Sequence, residues 1–308
     1  MSDDRPAAEV LGLLSDETRL DILRAVATAQ HERTEVGSAP SGLSFSELYD
    51  RVDVGTTSTL SYHLGELAGT FLRKGEDGYS FTHAGERLAR FVLAGNYERP
   101  APFGPEAVDG TCVFCGASAL EARVHHRFFR IDCTACERPV LGQPVTPAQT
   151  RRDTEELLRS VARETAVVSN QLRRGSCPEC GGRLSSSVHD VREGPLPDAV
   201  SFLATSECED CLGRYNSPLT YVVAHHPASV AFHWDRAIDV TRTGVWELHE
   251  HVHEGRWTAE RAGTDPEEYL VTLRRGDDAL RCRLDADARV THTERVRRTA
   301  LDDGGSIE

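Results

Sequence analysis

Lysine is almost missing from this chain: Lys74 is the only one, so 34 of the 35 basic residues are arginine. Methionine occurs once and aromatic residues make up only 6%. No segment approaches the roughly 18 consecutive apolar residues that a membrane-spanning helix needs, so no membrane partner is expected. The chain opens Met1-Ser2-Asp3-Asp4 with neither the basic nor the apolar region of a secretory signal, and the expected compartment is the cytoplasm. There is no phosphate-binding glycine loop, no GxSxG and no HExxH. With no catalytic constellation to assemble, the expectation is a protein that is not an enzyme.

What is present is acid. Against the 35 basic residues stand 49 acidic ones, a formal charge of −14. Hydrophobic residues make up 39%, spread throughout, and mean hydropathy is −0.41, which fits a folded rather than a disordered chain. Acidity with almost no lysine suits work in molar salt, where carboxylates stay hydrated and long alkyl ammonium stems are disfavoured. The sign of the charge therefore does not exclude DNA.

The 308 residues amount to two ordinary domains or several smaller ones. The spacing predicts an α+β protein: an N-terminal winged helix-turn-helix over 1–98, then two four-cysteine zinc ribbons over 107–145 and 175–225. A connecting helix over 146–174 joins the ribbons, a small α+β unit follows over 226–300, and 301–308 is expected to be a disordered tail. Pro100, Pro102 and Pro105 mark the first linker.

In the first segment Val10, Leu13, Leu14, Leu20, Ile22, Leu23 and Val26 recur at helical spacing, with Ser15 or Asp16 as a cap. A loop is expected from Val36 to Gly42. Phe45, Leu48 and Val52 share one face of a short helix, Asp53-Val54-Gly55 turns, and Thr56 or Thr57 caps a second helix with Leu60, Leu64 and Leu67 inward. A hairpin follows over 71–82, and a last helix runs from about His83 to Leu93. This arrangement lays the second helix in a major groove and brings the hairpin to the backbone. The candidate DNA contacts are Thr57, Ser58, Thr59, Ser61, Tyr62 and His63 on that helix, with Arg73 and Lys74 on the hairpin. Residues 45–90 carry 5 basic against 7 acidic side chains, which is no basic patch, and a purely protein-binding module is the bland alternative. In molar salt, though, the counterion-release contribution is small, and base contacts must carry more of the binding.

Leu14-Ser15-Asp16-Glu17-Thr18-Arg19-Leu20-Asp21-Ile22-Leu23 resembles the helix-opening segment of ArsR-type winged-helix regulators. Ser58-Thr59-Leu60-Ser61-Tyr62-His63-Leu64-Gly65-Glu66-Leu67 resembles their recognition helix. The resemblance covers the first third of the chain and, with the composition, suggests a haloarchaeal member carrying C-terminal zinc ribbons. It implies a homodimeric, sequence-specific regulator of transcription, often a repressor. Two departures stand out. Residues 44–52 hold no cysteine and the last helix offers only His83, so the family's metal-sensing sites are not matched. Tyr62 also stands where many relatives carry a basic residue.

The cysteines are the most specific signal. Cys112-Val113-Phe114-Cys115 and Cys133-Thr134-Ala135-Cys136 are separated by 17 residues; Cys177-Pro178-Glu179-Cys180 and Cys208-Glu209-Asp210-Cys211 by 27. Two CxxC knuckles converge on one tetrahedral ion, and Gly116 and Gly181-Gly182 supply tight turns. Two structural zinc ions are expected, with no open coordination position for catalysis. A redox CxxC comes singly in a βαβ setting, which is absent here. Phe128, Phe129, Arg127 and Arg130 could touch a partner, although packing within the ribbon is the preferred reading of the phenylalanines.

Leu158, Val161, Thr165, Val168 and Leu172 form a seam of barely two heptads, which could dimerise or pack on the ribbons. His249, His251 and His253 alternate, which on a strand gives one face of imidazoles, read as solvated in preference to metal-binding or pH-sensing. The pairs His125-His126 and His225-His226 are read as strand neighbours pointing opposite ways. Cys282 reads as a core or spare thiol rather than a nucleophile. The leading expectation is thus a regulator that binds double-stranded DNA as a homodimer, its effector unidentified. The alternative is a zinc-ribbon adaptor docking on another machine, and a zinc- or histidine-dependent enzyme is a distant third.

Overall fold

The computed structural model describes residues 5–33 and 42–297; all but Gly42 of the loop expected over 36–42, and the tail expected at 301–308, lie outside the described residues. Two compact units divide between Arg99 and Pro100. Among the described residues they hold ten helices and thirteen strands, the strands in four antiparallel sheets: a mixed α+β protein.

The first unit runs α1 (Ala7–Gly12), α2 (Glu17–Arg33), α3 (Phe45–Arg51), α4 (Thr57–Leu67), β1 (Leu72–Gly75), β2 (Gly78–Phe81) and α5 (His83–Leu93). Short polar side chains start its helices, because each can accept a backbone N–H that has no partner within the first turn. Asp16 accepts from the Arg19 amide, Thr56 from Thr59 and Thr82 from Gly85. At α3 the cap is reciprocal: Ser44 Oγ accepts from the Glu47 amide while the Ser44 amide donates to Glu47 Oε2 at 2.8 Å. That amide, with the Arg33 guanidinium, holds the Glu47 carboxyl at about 2. Ile22, Leu23, Val26, Leu48, Leu60, Leu64, Leu67 and Leu72 close one core. The β1–β2 hairpin pairs Gly75 with Gly78 across a two-residue turn, and Gly78, at φ +103°, sits where a Cβ would strike Leu43.

The second unit opens with the sheet β3 (Phe103–Val108), β4 (Leu120–His125), β5 (Phe128–Cys133) and β6 (Pro139–Pro144), neighbours in that order. The helix expected to run unbroken from 146 is two helices, α6 (Pro147–Thr150) and α7 (Thr154–Arg173). Thr146 and Gln149 cap α6 reciprocally, and Asp153 then caps a fresh start by accepting from the Glu156 amide. Leu157, Val161 and Ala162 of α7 pack on the first ribbon with Phe129, Ile131 and Trp246, and Leu172 packs against the second ribbon. Of the expected seam, Leu158, Val161 and Leu172 therefore pack within the chain.

The second ribbon is β7 (Leu184–Asp190), β8 (Phe202–Cys208) and β9 (Arg214–Pro218). Three helices follow, α8 (Leu219–Ala224), α9 (Pro227–Trp234) and α10 (Val245–His253), then the meander β10 (Trp257–Thr264), β11 (Glu267–Arg275), β12 (Asp278–Asp285) and β13 (Val290–Arg297). Trp257, Tyr269, Val271, Leu273, Leu280, Cys282 and Leu284 form its inner face and share one core with Phe202, Leu219, Phe232 and Leu248.

Here the structure corrects three histidine expectations. His249, His251 and His253 lie on α10, not on a strand, and His249 and His251 are buried rather than solvated. Val245, Leu248 and Val252 recur at three- and four-residue steps toward the core, and the Gly244 amide donates to Glu247 to open the helix. His125 ends β4 while His126 takes a left-handed turn conformation, so their rings meet edge to face at 4.1 Å instead of pointing apart. His225 and His226 lie between α8 and α9.

Gly85 gives a test of the first unit, because a Cβ there would lie 1.9 Å from the carbonyl oxygen of Phe71. Helix propensity alone favours Gly85→Ala by about 1 kcal/mol. The close approach reverses the sign, and a loss of about 2 kcal/mol is expected from denaturant midpoints.

Candidate metal centres and the exposed face of α4

All four CxxC knuckles have one backbone plan. The first cysteine's amide donates five residues ahead, to Ala117, Arg138, Gly182 and Gly213 from Cys112, Cys133, Cys177 and Cys208. Its carbonyl accepts from the amide four residues ahead, at Gly116, Glu137, Gly181 and Leu212, and each of these four residues has positive φ. Glycine adopts that conformation freely; Glu137 and Leu212 adopt it without that freedom, and for them the sequence carried no signal.

The knuckles meet in pairs. Sγ of Cys112 lies 3.7 Å from Cys136 and that of Cys115 3.7 Å from Cys133. In the second ribbon Cys177 and Cys211 are 3.6 Å apart, and Cys180 and Cys208 3.5 Å. All four sulfurs of each set lie within 4.8 Å of one another. A disulfide would need about 2.05 Å, whereas four sulfurs at about 2.3 Å from a tetrahedral ion stand about 3.8 Å apart. The eight predicted cysteines thus form two clusters that could each hold a metal ion. Burial pushes the Cys112 thiol up to about 12. At Cys177 burial works in the same direction but is outweighed by the Cys180 amide and the Tyr215 hydroxyl, which lies 3.6 Å from the sulfur, and the thiol is held at about 6. Tyr215 is a partner that no spacing rule marked. Cys282 stands apart, fully buried, with burial pushing its thiol up to about 12; it is a core residue.

Phe129 is fully buried, whereas Phe128 is 41% exposed beneath the Arg127 guanidinium. The packing expectation therefore holds for Phe129 and not for Phe128.

On α4, Thr57, Ser58, Thr59, Ser61 and Tyr62 are all exposed. His63 is not: it is buried, its Nδ1 accepting from Arg19 Nε at 3.4 Å with Asp16 at 3.8 Å. Arg19 also donates to the Leu13 carbonyl and reaches Glu66, so His63 is part of an internal polar network and unavailable to a ligand. Arg73 and Lys74 are exposed on β1, Arg73 donating to Ser80 Oγ and Lys74 lying near the Tyr79 ring. Among the described helices of this unit, α4 alone has no acidic residue in its first turn.

Two expectations follow from the geometry. Elemental analysis of purified protein should find two metal ions per chain, and Cys180→Ser should leave one. Acid should weaken the second unit, because burial holds His249 at about 4, and burial together with Arg275 and Arg256 holds His251 there too. The unfolded chain then takes up protons first, so stability present above pH 6.5 is lost as pH falls toward 4. For His249 the shift corresponds to something on the order of 3 kcal/mol. Denaturant midpoints across that range should fall less steeply in His249→Phe, with metal content followed in parallel.

No curated protein and no solved structure matches the chain. A family model described as "Domain of unknown function (DUF7347)" matches residues 7–92. Another, "Domain of unknown function (DUF7351)", matches residues 109–290, more than half of the chain and including both four-cysteine clusters. The chain belongs to that DUF7351 family.

Proposed function

We propose that the chain is a sequence-specific DNA-binding regulator of transcription, with its first unit acting as a winged helix-turn-helix of the ArsR type. The observation that carries this reading is the exposed face of α4. It offers five hydrogen-bonding side chains, Thr57, Ser58, Thr59, Ser61 and Tyr62, and its first turn is free of acid in a chain with 49 acidic residues. A helix N-terminus without carboxylates accepts phosphate oxygens, while hydroxyls reach base edges. The hairpin bearing Arg73 and Lys74 supplies the backbone contacts. The protein works as a cytoplasmic homodimer, placing two α4 helices one DNA turn apart, and represses when bound. Two zinc ions, each held by four thiolates, brace the second unit without catalysing a reaction. A zinc-ribbon adaptor is the second reading, favoured by Leu212, which stands 85% exposed beside the knuckle of Cys208 and Cys211.

Selection of genomic fragments on metal-loaded protein in roughly 2 M KCl separates the two, because loose electrostatic binding is screened there. Upstream fragments sharing an inverted repeat are expected. Exchanging Ser61 and Tyr62 together for alanine should weaken that binding by at least about tenfold while thermal unfolding stays unchanged. Well-folded protein that enriches no fragment, yet retains a protein partner lost with the ribbons, would overturn the DNA reading in favour of the adaptor.

A further inference from the structure

Within the second unit a cavity of about 490 Å³ opens behind the first knuckle, a size typical of small-molecule sites. Phe114 of the knuckle, Leu141 of β6, Ser169 of α7 and Leu196 form part of its wall, with Tyr221 of α8 and His249 of α10 completing it. No aspartate, glutamate, lysine or arginine lines it, although such residues make up 27% of the chain.

One stretch of that wall is chemically unfinished. The Tyr221 hydroxyl and His249 Nδ1 are buried without a hydrogen-bond partner. The Tyr221 and His249 rings lie 5.7 Å apart, centroid to centroid. Buried polar atoms are nearly always paired, so two orphans on neighbouring residues of one cavity wall indicate partners supplied from outside the chain. Burial keeps both imidazoles neutral at pH 7, His249 held at about 4 and His225 below its ordinary value. A neutral imidazole offers one donor and one acceptor, and a phenol offers both. Nothing in the wall would balance a full charge on an occupant.

We propose that this cavity is a binding site for an uncharged, largely apolar small molecule bearing a hydroxyl group, with Tyr221 and His249 as its polar anchors. The site is independent of the DNA-binding reading, since it requires only that the second unit be folded. Its occupant touches Phe114 between Cys112 and Cys115, and so adjoins the first thiolate cluster.

The test is titration of the full, metal-loaded chain with 2-naphthol, followed by calorimetry and the probe's fluorescence, beside 2-naphthoate as a charged counterpart of similar shape. Saturable binding of 2-naphthol at one site per chain is expected, with 2-naphthoate bound at least tenfold more weakly. Tyr221→Phe keeps the ring and removes a hydroxyl that has no partner in the fold. It should leave the melting temperature in place while weakening 2-naphthol about three- to tenfold. Val140→Trp, which fills the cavity from β6, should abolish binding. Absence of saturable binding, equal affinity for 2-naphthoate, or affinity unmoved by Tyr221→Phe would each overturn the proposal. Should Val140→Trp fail to fold, the Tyr221→Phe comparison decides alone.

Discussion

Around its cysteines the second ribbon has almost no apolar core, although Phe202 and Ala204 at the other end of β8 join the large core of the second unit. The buried cluster at that end is Leu184 with Cys177 and Cys208, edged by Leu172 and Tyr215, too little to hold the two knuckles together by burial alone. Convergence of four sulfurs on one point is the constraint that closes it, and a metal held there would contribute folding energy directly. The first ribbon is less dependent, since Phe129, Ile131 and Leu120 pack with Leu157 and Val161 around Cys112 and Cys133. The difference in apolar content explains why α7 spans both ribbons, burying one end on the first and setting Leu172 on the second.

That constraint also shapes the rest of the second unit. Val113, inside the first knuckle, belongs to the same core as Trp257, Tyr269 and Leu280, and His253 Nδ1 lies 3.3 Å from the Val113 carbonyl. The knuckle therefore fixes the end of α10, and α10 in turn positions His249 at the cavity wall. A four-cysteine cluster and a cavity built from distant segments are held by one continuous set of contacts.

Legibility in the sequence followed the range of the interactions. The eight clustered cysteines were readable because a CxxC turn is local and its purpose is written in four residues. The hairpin over 71–82 and the caps, to within one residue of Asp16 and Thr56, were readable for the same reason. The histidines of α10 misled because His249, His251 and His253 repeat every second residue, while the apolar period through Val245, Leu248 and Val252 is helical and the second pattern decides. His63 fits an exposed helical position until Arg19, 44 residues earlier, is placed beside it. The cavity draws its wall from residues between Val113 and His249, and no window of sequence contains it.

The charge pattern links these parts to the medium that the composition suits. At 1 M salt the screening length is about 3 Å, so the numerous exposed Arg–carboxylate pairs, such as Arg51–Glu32 and Arg295–Asp235, contribute little beyond contact. Hydration of the acidic surface is then the main consequence of the −14 charge. Under the proposed reading, a partner of α4 in that medium would gain little from long-range attraction, and a basic patch would serve it poorly. Contact-range chemistry remains: hydroxyls, a tyrosine edge and unscreened amides at a helix start. The face made by Thr57, Ser58, Ser61 and Tyr62 has that composition, and the absence of carboxylates from its first turn removes the one short-range repulsion that screening would leave.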